Sequence, residues 1–229
     1  RYASASPASK RPRVLEPACG SGRMLLELAR RGFEVTGFDG NASMLDFARA
    51  RMRRAHKRAR LVHGRLEKFD VGANFDLAHC MVNTFKYLLA ESAARSHLQC
   101  VARALRPGGL YVIGLHLTDY DDPRRNRERW LARRGGVDVV CNIQGWPTDR
   151  RTRLERCRSR LAVVEHGVLR RTETEWTFRT YDLTQFRRLV RSVPEFEHAA
   201  AFDFGYDIER PRRLPDDQLD VVFVLRRRV

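Results

Sequence analysis

The sequence lacks the long apolar segments that insert into membranes. No hydrophobic run approaches the ~20 residues that a membrane-spanning helix needs, and no basic start followed by an apolar core indicates a secretion signal. We therefore expect a cytoplasmic protein without a membrane partner. The chain begins at Arg1 rather than Met, so we expect further residues to precede it.

Cysteine is scarce as well, and its spacing argues against two kinds of site. The five cysteines are odd in number, lie far apart and form no C-x-x-C pair, which disfavours a zinc site and a disulfide framework. We expect no bound metal and a reducing compartment. The cysteines are Cys19, Cys80, Cys100, Cys141 and Cys157.

Lysine is nearly absent, although the chain is strongly basic. Of the 44 basic residues four are Lys, and the formal net charge is +16. A charge of this size suggests a nucleic-acid partner or another anionic one. An excess of Arg over Lys is also what GC-rich coding produces, so we favour solvated basic faces. Arginines within 150–153 and 156–160 keep phosphate binding open as the alternative.

Apolar residues are frequent enough for one packed domain. The 229 residues are 43% hydrophobic and 31% charged, which suits a single domain. Residues 1–13 are predicted to form a tail, and 14–229 the domain. Helical and extended patterns alternate from Val14 onward, which indicates an α/β fold with a doubly wound, seven-stranded, mostly parallel sheet. Strands are expected at 14–16, 33–39, 60–63, 75–82, 110–117, 196–204 and 219–225, and helices at 24–31, 42–58, 92–105 and 183–193.

The alternation is interrupted after Leu117. Residues 118–135 are charged and are expected to form a loop. Three extended segments follow at 137–145, 153–166 and 168–181, and Glu165-His166-Gly167 between the last two has the composition of a hairpin turn. We therefore predict a small antiparallel β insertion over 137–181.

The strongest chemical signal is a glycine-rich turn between the first strand and the first helix. It reads E-P-A-C-G-S-G over 16–22, and such a turn lets a ligand approach the backbone closely. The dinucleotide fingerprint G-x-G-x-x-G needs a third glycine, but Leu25 stands at that position. Glu16, four residues before Gly20, suits a ligand with a cationic group. The turn therefore disfavours a phosphate-rich dinucleotide, with a tight turn that binds no ligand as the alternative.

Asp39 ends the second predicted strand, 19 residues after Gly20. A carboxylate at this place can accept both ribose hydroxyls of a nucleoside. The alternative is that Asp39 caps the helix at 42–58. The aspartate supports a nucleoside ligand without selecting one.

Four blocks in this order resemble the class I S-adenosylmethionine-dependent methyltransferases. They are E-x-x-C-G-x-G-R at 16–23, Asp39 with Met44, G-R-L-E at 64–67, and L-R-P-G-G at 105–109. The likeness covers about 14–117 and implies a Rossmann-like methyltransferase fold with S-adenosylmethionine as cofactor. The insertion, followed by R-T-Y-D at 179–182, resembles the small-molecule members, in which such a segment forms a lid over the acceptor.

The resemblance implies roles for the glycine turn and its neighbours. Gly20 and Gly22 would cradle the methionine part of the cofactor, and Glu16 would lie by its amino end. Asp39 would hold the ribose.

For the adenine, the resemblance implies apolar contacts on both sides. Met44 would pack on one face, and Leu66 would flank the other through its backbone and side chain, with plain core packing as the alternative for both. Many relatives have Asp where Arg65 stands. Because Arg cannot accept a hydrogen bond from the adenine amine, that contact is lost or moves to Glu67.

Candidate catalytic residues follow the fourth and fifth predicted strands. Because the sulfonium is already activated, alignment supplies much of the acceleration, and a general base is needed when the acceptor starts protonated. His116 is the first candidate base, since a neutral imidazole takes a proton near pH 7, and Asn83 should lie close to the transferred methyl. The alternative for His116 is a hydrogen bond at the sheet rim. His63 and His79 lie inside predicted strands and are expected to be structural.

The acceptor class follows from what is missing after the fourth strand. Enzymes of this superfamily that methylate DNA bases at an amine carry Asn or Asp, two prolines and an aromatic residue there, whereas this chain reads N-T-F at 83–85. We therefore expect a small-molecule amine or hydroxyl as acceptor. An RNA methyltransferase and a catalytically silent cofactor-binding module are the alternatives.

Overall fold

The chain folds into two compact units in the computed structural model, which describes residues 11–214 and 219–229. The first unit comprises the described residues up to Leu117 together with those from Leu183 onward, and the second is Thr118–Asp182. The strands are β1 (Arg13–Pro17), β2 (Glu34–Asp39), β3 (Arg60–His63), β4 (Phe75–Cys80), β5 (Leu105–His116), β6 (Asn126–Arg134), β7 (Val137–Gly145), β8 (Leu154–Glu165), β9 (Val168–Arg179), β10 (Phe196–Phe202) and β11 (Asp220–Arg227). The helices are α1 (Arg23–Arg30), α2 (Ala42–Arg54), α3 (Glu91–Ala104) and α4 (Leu183–Arg191), with a 3-10 helix at Thr84–Tyr87.

The first unit is built on a seven-stranded sheet in the order β10-β11-β5-β4-β1-β2-β3. Strands β1 to β5 run parallel, and β11 pairs antiparallel with both β5 and β10. The predicted doubly wound, mostly parallel sheet is therefore confirmed.

The strand order reverses next to β1. Strands β2 and β3 are added on one side of it, and β4 and β5 on the other. In open α/β sheets, ligands bind outside the carboxyl ends of the strands at such a switch point. The glycine turn follows β1 and residues 81–84 follow β4, so both lie at this point.

Helices α1 and α2 pack through narrow apolar faces. Leu45, Ala48 and Met52 are buried on α2, as the 3.6-residue period requires. Met44 and Phe47 lie beside this buried face and are 43% and 47% exposed. The guanidinium of Arg51 lies over the Phe47 ring.

The predicted tail lies largely outside the described residues. Its last residue, Arg13, already belongs to β1, and its backbone amide donates to Asp76 Oδ2 at 2.8 Å. None of the described helices is long and apolar enough to cross a membrane.

The second unit is a four-stranded antiparallel sheet in the order β6-β7-β8-β9. Strands β7 to β9 match the three extended segments predicted for the insertion. The loop expected over 118–135 was wrong, since it contains β6. This strand is exposed along its whole length and pairs with β7 through its backbone, so it shows little of the apolar alternation by which strands are recognised.

Candidate active site

The turn after β1 has a backbone that favours glycine. Gly20 and Gly22 have φ of 51° and 68°, in the left-handed region that L side chains rarely adopt. A Cβ on Gly22 would lie 3.0 Å from the Ala48 side chain, so this glycine also allows close helix packing. A Cβ on Gly20 would meet no atom within 4 Å. Gly20 therefore leaves open space where a ligand can reach the backbone.

Asp39, at the end of β2, is tied to this turn. Its Oδ2 accepts the Gly20 amide at 2.8 Å and its Oδ1 accepts the Asn41 amide at 2.8 Å. The cap of α2 is Asn41, whose side chain accepts the Met44 amide at 3.2 Å, so the capping alternative for Asp39 is excluded. A carboxylate has about four acceptor positions, which leaves capacity for ribose hydroxyls.

Glu16 is largely buried beside the same turn. Burial raises the pKa of its carboxyl group to about 8, an effect opposed by the Leu25 amide and the Arg23 guanidinium. Its Oε2 is buried and has no hydrogen-bond partner among the described residues. A buried acceptor without a donor is costly, and a ligand that brings a cationic donor would satisfy it.

The predicted adenine contacts follow β2 and β3. Met44 is half-exposed rather than part of the core, so the packing alternative fails for this residue. Leu66 is partly buried. The Glu67 carboxylate is paired with the Arg65 guanidinium, and its pKa is lowered by a backbone hydrogen bond and by Arg65. Arg65 therefore competes with an adenine amine for Glu67.

Helix α3 fixes the segment that carries Leu66 and Glu67. Ser96 Oγ donates to the Glu67 carbonyl at 2.7 Å, and His97 Nδ1 donates to the Leu66 carbonyl at 2.7 Å. His97 Nε2 accepts from the Tyr111 hydroxyl at 2.6 Å. Burial lowers the pKa of His97 to about 4, so this imidazole is neutral and holds the segment in place.

Asn83 and His116 contact each other at the ends of β4 and β5. Asn83 has φ of 64°, and its Oδ1 accepts the backbone amide of His116 at 2.8 Å. The Nδ1 atom of His116 is hydrogen-bonded to Asp220 Oδ1, and its ring lies 5.1 Å from that of Phe204. With the Nδ1 proton donated to Asp220, Nε2 is the nitrogen that can accept a proton.

The predicted site residues fall into two groups. Glu16, Gly20, Gly22 and Asp39 are brought together around the turn, whereas Asn83 and His116 form a second cluster with Asp220. Sequence reasoning missed Asp220, because β11 reaches β5 through antiparallel pairing that places Asp220 opposite His116. No local sequence signal links two residues 104 positions apart.

Comparison with known proteins gives one matching family model. Residues 14–109 match the model described as a methyltransferase domain. Among curated proteins, glycine N-methyltransferase of Rattus norvegicus is 31% identical over 121 residues, covering 47% of this chain and 41% of that protein. Glycine/sarcosine N-methyltransferase of Parasynechococcus marenigrum is 26% identical over 218 residues, covering 86% and 73%. The chain spans less than half the length of several curated relatives.

Two solved structures share the fold. An S-adenosylmethionine-dependent methyltransferase of Clostridium acetobutylicum superposes with a TM-score of 0.78 at 15% identity, covering 95% of this chain and 85% of that one. An amino pentose methyltransferase of Micromonospora echinaspora gives 0.70 at 21% identity, covering 95% and 84%. The family match covers residues 14–109, so this segment resembles the class I S-adenosylmethionine-dependent methyltransferases in its sequence, its sheet order and its glycine turn, and the two solved structures show that the rest of the chain shares the methyltransferase fold.

Proposed function

We propose that this chain binds S-adenosylmethionine and transfers its methyl group to a small-molecule amine or hydroxyl. The observation that carries the proposal is the switch point of the sheet. There the open Gly20 backbone, the Asp39 carboxylate and the unpartnered Glu16 oxygen surround one glycine turn.

The side chains fit this cofactor. Asp39 supplies acceptors for ribose hydroxyls, the half-exposed Met44 offers an apolar surface for a base, and Glu16 supplies an acceptor for an ammonium group. When bound, the cofactor supplies an electrophilic methyl group on a sulfonium sulfur. The protein has to align the acceptor with that methyl and to remove a proton where the acceptor carries one.

His116 is the base in this proposal. Its Nε2 takes the acceptor's proton, while its Nδ1–H stays donated to Asp220, which orients the imidazole and stabilises the imidazolium that forms. Asn83 acts on the same residue from the other side, because its carboxamide oxygen holds the His116 backbone. Asn83 and Asp220 are thus positioning residues for the base.

A small-molecule amine is the preferred acceptor. Two relatives are named for methylation of glycine, and a structural neighbour for an amino pentose. Two of the arginines that could have bound RNA phosphates are engaged in ion pairs within the second unit. Arg156 pairs with Glu175 at 2.7 Å, and Arg160 pairs with Glu173 at 2.6 Å. Their charge is thereby partly neutralised, which supports the solvated-face interpretation.

The insertion is proposed to close over the acceptor, as the resemblance implies for small-molecule members. Hydrogen exchange of β8 and β9 tests this proposal. Protection should rise when S-adenosylhomocysteine and an acceptor are both present, and unchanged exchange in the complex would argue against a lid.

Two measurements test the function as a whole. Calorimetry should show binding of S-adenosylhomocysteine and none of NAD. Methyl transfer should then be assayed with glycine, sarcosine, an amino sugar and RNA at about 0.15 M salt, the physiological ionic strength.

The outcomes separate the alternatives. Transfer to a small amine supports the proposal. Selective RNA binding that persists at this salt, with transfer to RNA, would establish the RNA methyltransferase instead, since phosphate contacts lose affinity steeply with salt. Cofactor binding without transfer to any acceptor favours the silent module, and binding of NAD alone would refute the proposal.

A further inference from the structure

His79 is a buried polar residue that the proposed function does not yet use. It lies in β4 and is 7% exposed. Its Nε2 is buried and has no hydrogen-bond partner among the described residues. Burial lowers the pKa of its imidazole to about 4, so the ring is neutral at physiological pH. The expectation that His79 is merely structural leaves this nitrogen without an explanation.

The position of His79 in the sheet places it beside Glu16. In the parallel pair of β1 and β4, Leu15 is opposite Ala78, and Glu16 and His79 are the next residues of the two strands. Side chains at matching positions of neighbouring strands lie on the same face of the sheet. The two residues thus flank the switch point from its two sides.

A cavity of about 210 Å³ lies at this place. Glu16, Cys19, Arg23, His79 and Thr84 are among its lining residues. Glu16 and His79 thus line one cavity, and each has one buried, unpartnered side-chain atom, Oε2 and Nε2, without a hydrogen bond between the two. A buried polar atom without a hydrogen-bond partner is rare in proteins. In the Nδ1–H tautomer of His79 its Nε2 is an acceptor, and two acceptors beside one cavity fit a ligand that brings two donors.

We propose that Glu16 Oε2 and His79 Nε2 together accept the N–H donors of one primary ammonium group, that of the cofactor's amino-acid end. This inference rests on the proposed function and deepens it by making His79 a cofactor-positioning residue. A primary ammonium carries three N–H donors and no acceptor, so it can satisfy both atoms at once. Because burial raises the pKa of Glu16 to about 8, binding of the ammonium displaces the carboxyl proton. The carboxylate that results balances the ammonium charge, and the neutral imidazole adds selectivity without adding charge.

The test compares two ligands that differ in the ammonium alone. The probes are S-adenosylhomocysteine and its desamino analogue, which keeps the carboxylate, titrated calorimetrically into the intact protein and into His79→Leu. A hydrogen bond to a charged group corresponds to about 10- to 100-fold in affinity. We expect His79→Leu to lose about that factor for S-adenosylhomocysteine and less than twofold for the analogue.

His198→Leu is the control for loss of a histidine from the same sheet. His198 is an exposed histidine of the edge strand β10, and it does not line this cavity. The control should bind both ligands as the intact protein does. A nitrogen NMR titration of the unmutated protein gives a second readout, in which the His79 Nε2 resonance moves with S-adenosylhomocysteine and stays fixed with the analogue.

Each outcome decides between this inference and the proposed function. Equal losses for both ligands, or no loss, would overturn the two-acceptor site while cofactor binding stands. A resonance that moves equally with both ligands would overturn it as well, even where His79→Leu does not fold. If the unmutated protein binds neither ligand, the proposed function itself fails.

Discussion

The two units of the molecule treat charged and polar groups in opposite ways. In the second unit, arginines and acidic residues face one another across exposed strands, as Arg160 and Glu173 do between β8 and β9. In the first unit, Glu16 and His79 lie at the ends of neighbouring strands. Each has a buried side-chain atom, Oε2 and Nε2, without a hydrogen-bond partner among the described residues.

This difference distinguishes charged groups that are paired on the surface from buried groups that are suited to binding or catalysis. Exposed ion pairs contribute little to stability and are screened by salt. Groups whose pKa is strongly shifted by burial cost free energy, and they cluster at functional sites. The net charge of +16 therefore says less about function than the buried groups with shifted pKa values at the switch point, which include Glu16 and His79.

The largest effect is expected at His116. Replacing it with Ala should lower kcat about 10²- to 10⁴-fold, the range for a general base, with S-adenosylhomocysteine affinity unchanged. Asp220→Asn should show a smaller loss, because it disturbs the orientation of the imidazole and keeps the ring. Steady-state kinetics with the best acceptor measure both. The control is His166→Ala, in the hairpin turn of the second unit, which should keep full activity. If His116→Ala also kept full activity, catalysis would depend on alignment of the substrates alone.

Glu16 should give the largest effect on stability. The native carboxyl holds its proton up to a pKa of about 8, whereas the ordinary pKa of a glutamate carboxyl is 4.5. Between these pH values the native state binds more protons than the unfolded state, so the unfolding free energy contributed by this group falls as pH rises. As pH rises across this window, the unfolding free energy of Glu16→Gln should therefore increase relative to that of the unmutated protein by about 1.4 kcal/mol per pH unit.

The charges that face Glu16 belong to Arg23 and Asp39. Cys19 and His79 are neutral in this window, since burial raises the pKa of the Cys19 thiol to about 12 and lowers that of His79 to about 4. Urea unfolding from pH 5 to 8 measures the effect. A constant difference between Glu16→Gln and the unmutated protein would show that Glu16 is not titrating in this range.

Asp39→Ala should weaken S-adenosylhomocysteine binding by about 1.5–3 kcal/mol, the range for hydrogen bonds to a charged group. The substitution also leaves the Gly20 amide without its acceptor, so the turn itself should loosen. Calorimetry measures the affinity, and Asp46→Ala on the exposed face of α2 serves as the control. Unchanged affinity would remove Asp39 from the site.

The smallest effects are expected in the second unit. Arg156→Ala and Arg160→Ala should leave the free energy of unfolding unchanged within error, because both side chains are exposed. RNA retention at 0.15 M salt should stay low in the intact protein and in both variants. If the intact protein instead binds RNA strongly at this salt and either variant abolishes that binding, the arginines of the second unit have a function and are not merely surface charge.

The local sequence was sufficient for the parallel sheet and the glycine turn. Alternating helical and extended patterns located the first-unit strands to within a few residues, and the turn over 16–22 followed from glycines at positions of positive φ. These features depend on neighbours in the chain. For β6 the same reasoning failed, because that strand is held by backbone pairing and is exposed along its whole length.

What the tertiary structure decided is which polar atoms have partners. The sequence predicted His116 as the base but contained no signal for Asp220. Asp220 is 104 residues away in the chain and is placed opposite His116 by the antiparallel pairing of β11 with β5. The sequence predicted His79 to be structural, yet the strand order sets His79 beside Glu16 with a buried, unpartnered nitrogen. Periodicity reports which face a residue occupies, whereas hydrogen-bond satisfaction depends on distant strands that only the folded sheet brings together.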